Sequence, residues 1–120
     1  MLEMRIGHTK RYAVSAERFS SLLKTRDVLG CGTALLVAII EWASVKFLED
    51  EILPHEISIG NAVAIRHVAL DLFPQNFTVE LQITEQDSSE VTFTVMCTSE
   101  DGDVGAGVHT RSVVSRTEIS

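Results

Sequence analysis

The stretch GTALLVAIIEWASVKFLE, residues 32–49, decides the fold of this chain. It contains a run from Ala34 to Ile40 that is apolar at every position, which is typical of a helix buried on nearly every side. We expect this helix to begin near Gly32 or Thr33, with the Thr33 hydroxyl as a cap or first-turn group, and to end near Glu49.

Most of the remaining sequence alternates between apolar and polar residues, as strands do. We predict a first strand over residues 4–14 and a short helix capped by Ser15 over residues 15–23. Four further strands are predicted in ISIGNAVAIRHVAL (57–70), FTVELQIT (77–84), VTFTVMCT (91–98) and VGAGVHTRSVV (104–114), with turns at Pro74 and Asn76, QDSSE (86–90) and EDGD (100–103).

A sheet of this size must bury one face, and the long helix is the only apolar element large enough to cover it. The sequence therefore predicts a single α+β domain over residues 1–120. Its expected architecture is a curved antiparallel sheet of about five strands wrapped around one long central helix.

Composition and charge disfavour several functional classes. The net charge of −7 argues against nucleic acid as a partner, because phosphate binding needs a basic surface. No apolar run approaches the ~20 residues of a membrane span, and the amino-terminal residues are too polar for a signal peptide. We expect a cytoplasmic protein with reduced thiols at Cys31 and Cys97. The histidines show no metal-ligand spacing, so no metal site is expected.

Three residues around the long helix carry the parts that acyl transfer needs: a hydroxyl at Thr33, an acid at Glu41 and an imidazole at His67. Glu41 directly follows the apolar run, where a carboxylate is costly to bury without a partner. Backbone N–H groups at a helix N-terminus favour negative charge, so Gly32 and Thr33 form a candidate oxyanion site.

The spacing of two of these residues adds a constraint. Eight helical residues rise about 12 Å along the helix axis, so Thr33 and Glu41 of one chain are not expected to touch. Either the substrate lies along the helix, or a symmetric dimer brings Glu41 or His67 of one chain to Thr33 of the other.

The region from Thr33 to His67 resembles the hotdog-fold thioesterases, and more narrowly their fluoroacetyl-CoA thioesterase branch. The likeness rests on the Thr at the helix start, Glu-Trp-Ala at 41–43, the glycine in IGNA (59–62) and the His within that strand; GVHTRSVV (107–114) also resembles the family's last strand. In that branch a Thr, a Glu and a His with this relative spacing form the catalytic set.

The resemblance implies a hotdog fold, catalytic roles for Thr33, Glu41 and His67, and a pocket lined by Gly60. Gly60 and its neighbour Asn61 therefore join Gly32 as expected substrate-binding positions. It also implies a homodimer, or a tetramer built from it, with sites at the subunit interface and coenzyme A present only as part of the substrate.

The substrate and the reaction have alternatives. The fluoroacetyl-specific enzyme closes its pocket with a lid phenylalanine shortly before the Thr, whereas residues 25–32, TRDVLGCG, contain no aromatic residue. We therefore expect hydrolysis of a generic acyl-CoA thioester to free acid and CoA. The alternatives are a hotdog acyl-CoA dehydratase or hydratase and a non-catalytic acyl-CoA sensor, neither of which releases CoA.

The remaining basic residues receive weaker predictions. His109 shares a strand face with Arg111, and we expect both at the surface or at a subunit interface. Arg66, Arg111 and Lys46 are the obvious cations for the phosphates of coenzyme A, and the sequence does not rank them.

Overall fold

The predicted buried helix is α1, which spans Gly32–Glu49 as expected. The computed structural model describes residues 3–15, 32–68, 76–100 and 102–118. Within those ranges α1 is accompanied by strands β1 (Thr9–Ser15), β2 (Glu56–His67), β3 (Asn76–Asp87), β4 (Glu90–Ser99) and β5 (Gly102–Ser115), followed by a 3-10 turn at Arg116–Glu118. One helix and an antiparallel sheet of five strands confirm the predicted α+β architecture.

The strands pair in the order β1-β3-β4-β5-β2, and every pairing is antiparallel. The predicted turn between β3 and β4 is tight, with Asp87 opposite Glu90 and Ser88 at a positive φ of 57°. β2 follows α1 in sequence but pairs with β5, the last strand. The two edges of the sheet are therefore β1 and β2.

Some predicted boundaries differ from the structure. The first strand begins at Thr9 rather than at residue 4, because Gly7 adopts a turn with a φ of 91°. Asn76, predicted as a turn residue, is the first residue of β3, where it pairs with Ser15 at the end of β1. The rest of the predicted short helix, residues 16–23, and the predicted turn residue Pro74 lie outside the described residues.

The hydrophobic core lies between α1 and the sheet face that α1 covers. Phe47 of α1 contacts Phe93 of β4 edge to face, with ring centroids 5.2 Å apart. The apolar positions of the alternating pattern in β3 and β4 are fully buried: Val79, Leu81, Ile83, Val91, Phe93, Val95 and Cys97. The alternating pattern therefore gave the correct inward face for both strands.

The C-terminal end of α1 is fixed to the edge strand β1. The ammonium of Lys10 donates to the carbonyl oxygen of Phe47 at 3.4 Å and lies 3.3 Å from a carboxylate oxygen of Asp50. A cation at this end also complements the negative end of the helix dipole. These contacts hold α1 in register along the sheet.

One side of α1 remains open in the single chain. Thr33, Ala34, Glu41 and Val45 are exposed, although the helix is apolar on most of its circumference. The predicted burial therefore holds for most of the helix but not for this stripe. No helix within the described residues is both long and apolar enough to cross a membrane.

Candidate active site

The hydroxyl of Thr33 and the imidazole of His67 meet within one chain. Thr33 Oγ1 lies 3.0 Å from His67 Nδ1, within hydrogen-bond distance. Thr33 lies in the first turn of α1, directly after Gly32, and His67 is the last residue of β2. The sequence left open whether His67 reaches Thr33 from the same chain or from a partner, and here a single chain supplies both.

A glycine on the neighbouring strand allows this contact. Gly105 of β5 pairs with His67, and a Cβ at position 105 would lie 2.8 Å from Leu36 Cδ2 and 3.0 Å from the carbonyl oxygen of Arg66. The 2.8 Å separation is shorter than real Cβ contacts and the 3.0 Å one is tight, so a larger residue at position 105 would displace Leu36 of α1. The glycine therefore lets the first turns of α1 approach β2 closely enough for Thr33 to reach His67.

Glu41 belongs to a second group of residues. Its Oε2 lies 3.4 Å from Arg111 Nη1, and the Glu41 side chain is 48% exposed while that of Arg111 is only 5% exposed. The carboxylate is therefore not buried, and its described partner is the guanidinium of Arg111. A buried guanidinium needs such a partner, because an isolated charge is costly to remove from water.

Arg111 is held in place by β2. Its Nε donates to Ser58 Oγ at 3.0 Å, and its Nη2 donates to the Ser58 carbonyl oxygen at 3.0 Å. Burial lowers the pKa of Arg111, whereas the neighbouring Glu41 raises it. The group still carries its charge, because arginine remains protonated in proteins at physiological pH. Arg111 therefore presents a fixed positive charge to the carboxylate of Glu41.

His109 completes the group from inside the protein. The residue is 2% exposed, its Nε2 lies 3.2 Å from Arg111 Nη1, and its Nδ1 lies 2.9 Å from the Ala62 carbonyl oxygen. Burial lowers the pKa of His109 below 6.5, and the charge of Arg111 lowers it further, while Ala62 and Glu41 oppose the shift. The prediction that His109 and Arg111 lie at the surface or at an interface is therefore wrong.

Gly60 gives the Glu41 carboxylate room to reach Arg111. A Cβ at Gly60 would lie 2.8 Å from Glu41 Oε2, 3.3 Å from Arg111 Nη1 and 3.5 Å from His109 Cε1. The predicted pocket glycine thus contacts the acid predicted to act in catalysis. We call Glu41, Gly60, Arg111, Ser58 and His109 the acid cluster, and we call Thr33 with His67 the hydroxyl–imidazole pair.

Asn61 does not join the acid cluster. It lies at the point where the pairing of β2 with β5 shifts register, and its Nδ2 donates to Ser112 Oγ at 2.6 Å. Ser112 directly follows Arg111 in β5, and consecutive strand residues point to opposite faces. The structure therefore gives Asn61 a contact on the outer face of the sheet, away from Glu41.

The two groups occupy opposite ends of β2. Gly60 and His67 are seven residues apart along the strand, which corresponds to roughly 23 Å. Along α1, Thr33 and Glu41 are separated by about 12 Å, as the sequence indicated. The three residues predicted to act in catalysis therefore do not form a compact site within one chain.

The remaining candidate cations are exposed. Arg66 lies near the carboxyl end of β2, and Lys46 lies on α1 with its ammonium 5.6 Å from the ring centroid of Trp42. Arg111 is buried and four of its five N–H groups meet acceptors within the chain, so it is poorly placed for the coenzyme A phosphates. Arg66 and Lys46 remain as candidates.

A cavity of about 440 Å³ lies elsewhere on the chain. Its lining residues are Ile6, Glu85, Gln86, Asp87, Glu90 and Thr92. Three carboxylates would repel an anionic acyl-CoA, so this cavity does not suit such a substrate. In the described parts of the chain no group of three or more His, Cys, Asp or Glu side chains is arranged to hold a metal ion.

The family model for FlK, the fluoroacetyl-CoA-specific thioesterase, matches residues 9–117. The chain belongs to this family. A fluoroacetyl-CoA thioesterase from Streptantibioticus cattleyicolor is 26% identical over 82 residues, which cover 68% of this chain and 59% of the relative. The match thus spans less than two thirds of that relative's length.

Solved structures of similar proteins support the same fold. A mutant of the fluoroacetyl-CoA-specific thioesterase FlK, in complex with fluoroacetate and CoA, superposes with a TM-score of 0.81 at 21% identity, covering 98% of this chain and 100% of that chain. A hot-dog-like protein from Thermanaerovibrio acidaminovorans gives a TM-score of 0.76 at 16% identity, covering 95% and 86% of the two chains. The predicted hotdog fold is confirmed.

Sequence reasoning identified the hydroxyl–imidazole pair and Glu41 but missed the residues that hold Glu41. His109, Arg111 and Val113 alternate along β5, and Val113 is a core residue. The inward position of Val113 was the available signal that the two preceding alternate residues also point inward.

Proposed function

We propose that this protein hydrolyses acyl-CoA thioesters, and that each active site combines the hydroxyl–imidazole pair of one chain with the acid cluster of a second chain. The observation that carries the proposal is the placement of these two groups at opposite ends of the same edge strand. Membership of the thioesterase family supports the reaction class.

The edge strand β2 is the natural dimer contact. An edge strand presents unpaired backbone N–H and C=O groups that can pair with a second strand. Val63, near the middle of β2, is 40% exposed although it faces the helix side of the sheet opposite His109. A second β2 strand would cover this apolar side chain and the open stripe of α1.

Symmetry then aligns the two groups. The midpoint between Gly60 and His67 falls at Val63 or Ala64. An antiparallel pairing of two β2 strands about a two-fold axis at this midpoint sets Gly60 of one chain beside the partner's His67. An isologous contact of this kind generates two equivalent sites.

The hydroxyl–imidazole pair supplies the nucleophile. With Thr33 Oγ1 donating to His67 Nδ1, the imidazole can accept the hydroxyl proton as the oxygen attacks the thioester carbonyl. The carbon–sulfur bond breaks, the proton passes to the leaving thiolate, and CoA departs as the free thiol. The acyl group is left as an ester on Thr33.

Glu41 serves the second step. Arg111 and Gly60 fix its carboxylate at an exposed position that water can reach. The carboxylate accepts a proton from a water molecule, the resulting hydroxide attacks the Thr33 ester, and the free acid leaves as Thr33 regains its proton. The backbone N–H groups of the first turn of α1, at Gly32 and Thr33, stabilise the oxyanion in both steps.

The acyl group is expected to be less restricted than in the relative. FlK has been solved with fluoroacetate and CoA, but residues 25–32 of this chain supply no aromatic residue for a lid. Acetyl-CoA and other short acyl-CoA thioesters are therefore the first substrates to test. The absence of a metal requirement and the cytoplasmic location stay predictions.

The reaction is tested by thiol release. Wild-type protein should liberate free CoA from at least one thioester in a panel of short, aryl and long acyl-CoAs. Thr33→Ala, Glu41→Gln and His67→Ala should each lower turnover by on the order of a hundredfold or more, with circular dichroism showing an intact fold. Water addition to or elimination from the acyl chain without free CoA would favour the dehydratase alternative, and binding without any reaction would favour the sensor.

The nucleophile is tested by mass spectrometry. The Glu41→Gln variant should accumulate an acyl group on Thr33 after brief incubation with substrate, because its deacylation step is impaired. An acyl group found on position 41 of the wild type instead would reverse the two roles.

The composite site is tested by mixing inactive variants. Chains that carry Thr33→Ala and chains that carry Glu41→Gln, mixed and allowed to exchange, should regain about a quarter of wild-type activity, because half of the dimers are hybrids with one intact site of two. The matched control mixes Thr33→Ala with His67→Ala, both in the same group, and should regain nothing. If neither mixture regains activity although exchange is demonstrated, each site is built within one chain and the dimer proposal is wrong.

A further inference from the structure

The acid cluster contains a buried histidine whose protonation state is dictated by its neighbours. The Ala62 carbonyl can only accept a hydrogen bond, so His109 Nδ1 at 2.9 Å must carry a proton. A guanidinium can only donate, so His109 Nε2 at 3.2 Å from Arg111 Nη1 must be unprotonated. His109 is thus the neutral Nδ1–H tautomer.

The contact with His109 determines which way Arg111 points. Four of the five N–H groups of the guanidinium meet described acceptors: two at Ser58, one at Glu41 and one at His109. Nη1 has two hydrogens, and one is directed inward to His109 while the other is directed outward to Glu41. Without the inward acceptor, one buried N–H loses its partner, and the direction of Nη1 is then fixed only through the contacts with Ser58 and Glu41.

We propose that His109 is a positioning residue for the reaction: its neutral Nδ1–H tautomer holds the guanidinium of Arg111 in the orientation that places the Glu41 carboxylate beside Gly60. The inference rests on the proposed function, since it assigns a role within the acid cluster. His109 is 2% exposed and lies behind Arg111, so it acts through Arg111 rather than on the substrate.

Protonation of His109 would disrupt the arrangement. A proton on Nε2 would face an N–H of Arg111, placing two donors and two positive charges together. The groups that face His109 from the packed elements are Arg111 on its own strand, Glu41 from α1, Val63 and the Ala62 carbonyl from β2, and Phe93 from β4. Burial and the charge of Arg111 disfavour the charged imidazole, whereas the Ala62 carbonyl and Glu41 favour it, and the balance lowers the pKa of His109.

The first test compares two substitutions at His109. His109→Leu keeps an apolar group of similar size and removes the acceptor, whereas His109→Gln offers an acceptor oxygen at a similar reach and does not titrate. We expect His109→Leu to lower kcat about tenfold or more with KM changed less than about threefold, because the misplaced carboxylate acts after binding. His109→Gln should recover most of kcat and lose the His109 contribution to the acid side of the pH–rate profile.

The second test needs no variant. Nitrogen-15 NMR of the imidazole in wild-type protein should show a protonated Nδ1 and an unprotonated Nε2 at neutral pH. A protonated Nε2, or an imidazolium at neutral pH, would overturn the assignment whatever the kinetics show, and this measurement also decides the matter if His109→Leu does not fold.

The outcomes separate this inference from the proposed function. Wild-type protein that releases CoA while folded His109→Leu matches its kcat and pH profile would refute the positioning role and leave the thioesterase intact. Wild-type protein that hydrolyses no acyl-CoA would refute the function, while NMR would still report whether His109 holds Arg111 as its neutral tautomer.

Discussion

The substitution Gly60→Ala should lower turnover and leave the stability of the fold almost unchanged, so it tests the acid cluster by itself. The added Cβ would lie 2.8 Å from Glu41 Oε2, and ordinary contact begins at 3.4 Å, so the carboxylate must retreat by roughly 0.6 Å. Arg111 Nη1, at 3.3 Å from the same Cβ, is held by Ser58 and His109 and can yield only slightly. The displacement therefore falls on Glu41.

The expected cost in stability is small. Glu41 is half exposed and flexible, so it can move at little cost, and Gly60 does not have a positive φ that would strain an alanine. Alanine also restricts the unfolded chain, which stabilises a protein by about 0.4–1 kcal/mol at a compatible position. We expect the free energy of unfolding to change by less than about 1 kcal/mol. Turnover should fall by on the order of tenfold to a hundredfold, because misplacing a catalytic group by about 1 Å can cost that much.

Urea denaturation and thiol release measure the two effects on the same samples. Ala13→Ser is the matched control, since it also adds one heavy atom to an exposed position of an edge strand, β1, at the other side of the sheet. The control should retain both stability and turnover. If folded Gly60→Ala keeps full turnover, catalysis does not require Glu41 to lie beside Gly60. If Gly60→Ala is severely unfolded, the added Cβ displaces more than the flexible carboxylate of Glu41.

Three further outcomes test other parts of the structure. Gly105→Ala should be destabilising by about 1–3 kcal/mol in urea denaturation, because its Cβ would meet Leu36 and a strand carbonyl that cannot swing away. The free energy of unfolding should fall as the pH drops below 6.5, because the lowered pKa of His109 lets the unfolded chain bind a proton that the folded chain does not. The contribution of His109 is at most about 1.4 kcal/mol per pH unit. A flatter slope in His109→Gln would confirm that His109 is the source, and an identical slope would contradict it. Burial raises the pKa of the Cys97 thiol to about 12. In a Cys31→Ser variant Cys97 is the remaining thiol, and it should react with a thiol reagent only after unfolding. Rapid labelling of this variant in its native state would contradict the burial of Cys97.

The elements with strict patterns were predictable from the sequence. The bounds of α1, Gly32–Glu49, agree with the predicted start near Gly32 or Thr33 and the predicted end near Glu49, because the apolar run locates the helix. β3 and β4 were assigned to the correct face because Val79, Leu81, Phe93 and Val95 occupy strictly alternate positions. The boundary of β1 was less predictable, since the turn at Gly7 interrupts the predicted strand and residues 4–14 show no strict alternation.

The acid cluster was only half predictable. Glu41 and Gly60 were found from the apolar run and from the resemblance, but the residues that hold the carboxylate were not. Arg111 owes its burial to Ser58, which lies on a strand that pairs with β5 across a long sequence separation. Alternation within β5 places Arg111 on the same face as the buried Val113. A charged side chain is rarely buried without partners, however, and the sequence alone does not reveal that Ser58, Glu41 and His109 are those partners.

The proposed division of the site between two chains accounts for the surface that a single chain exposes around β2. The hydroxyl–imidazole pair is supported by Gly105, and the acid cluster by Ser58 and His109, so each group is already ordered before any second chain arrives. Between them lie β2, an edge of the sheet formed by the described residues, and exposed apolar side chains such as Val63, which the proposed dimer would cover. In the proposed dimer, association would align two groups that are already ordered, which would keep the entropic cost of building the site low. It also follows that substitutions within either group should alter turnover more than assembly, whereas a charge placed at Val63 should alter assembly first and turnover as its consequence.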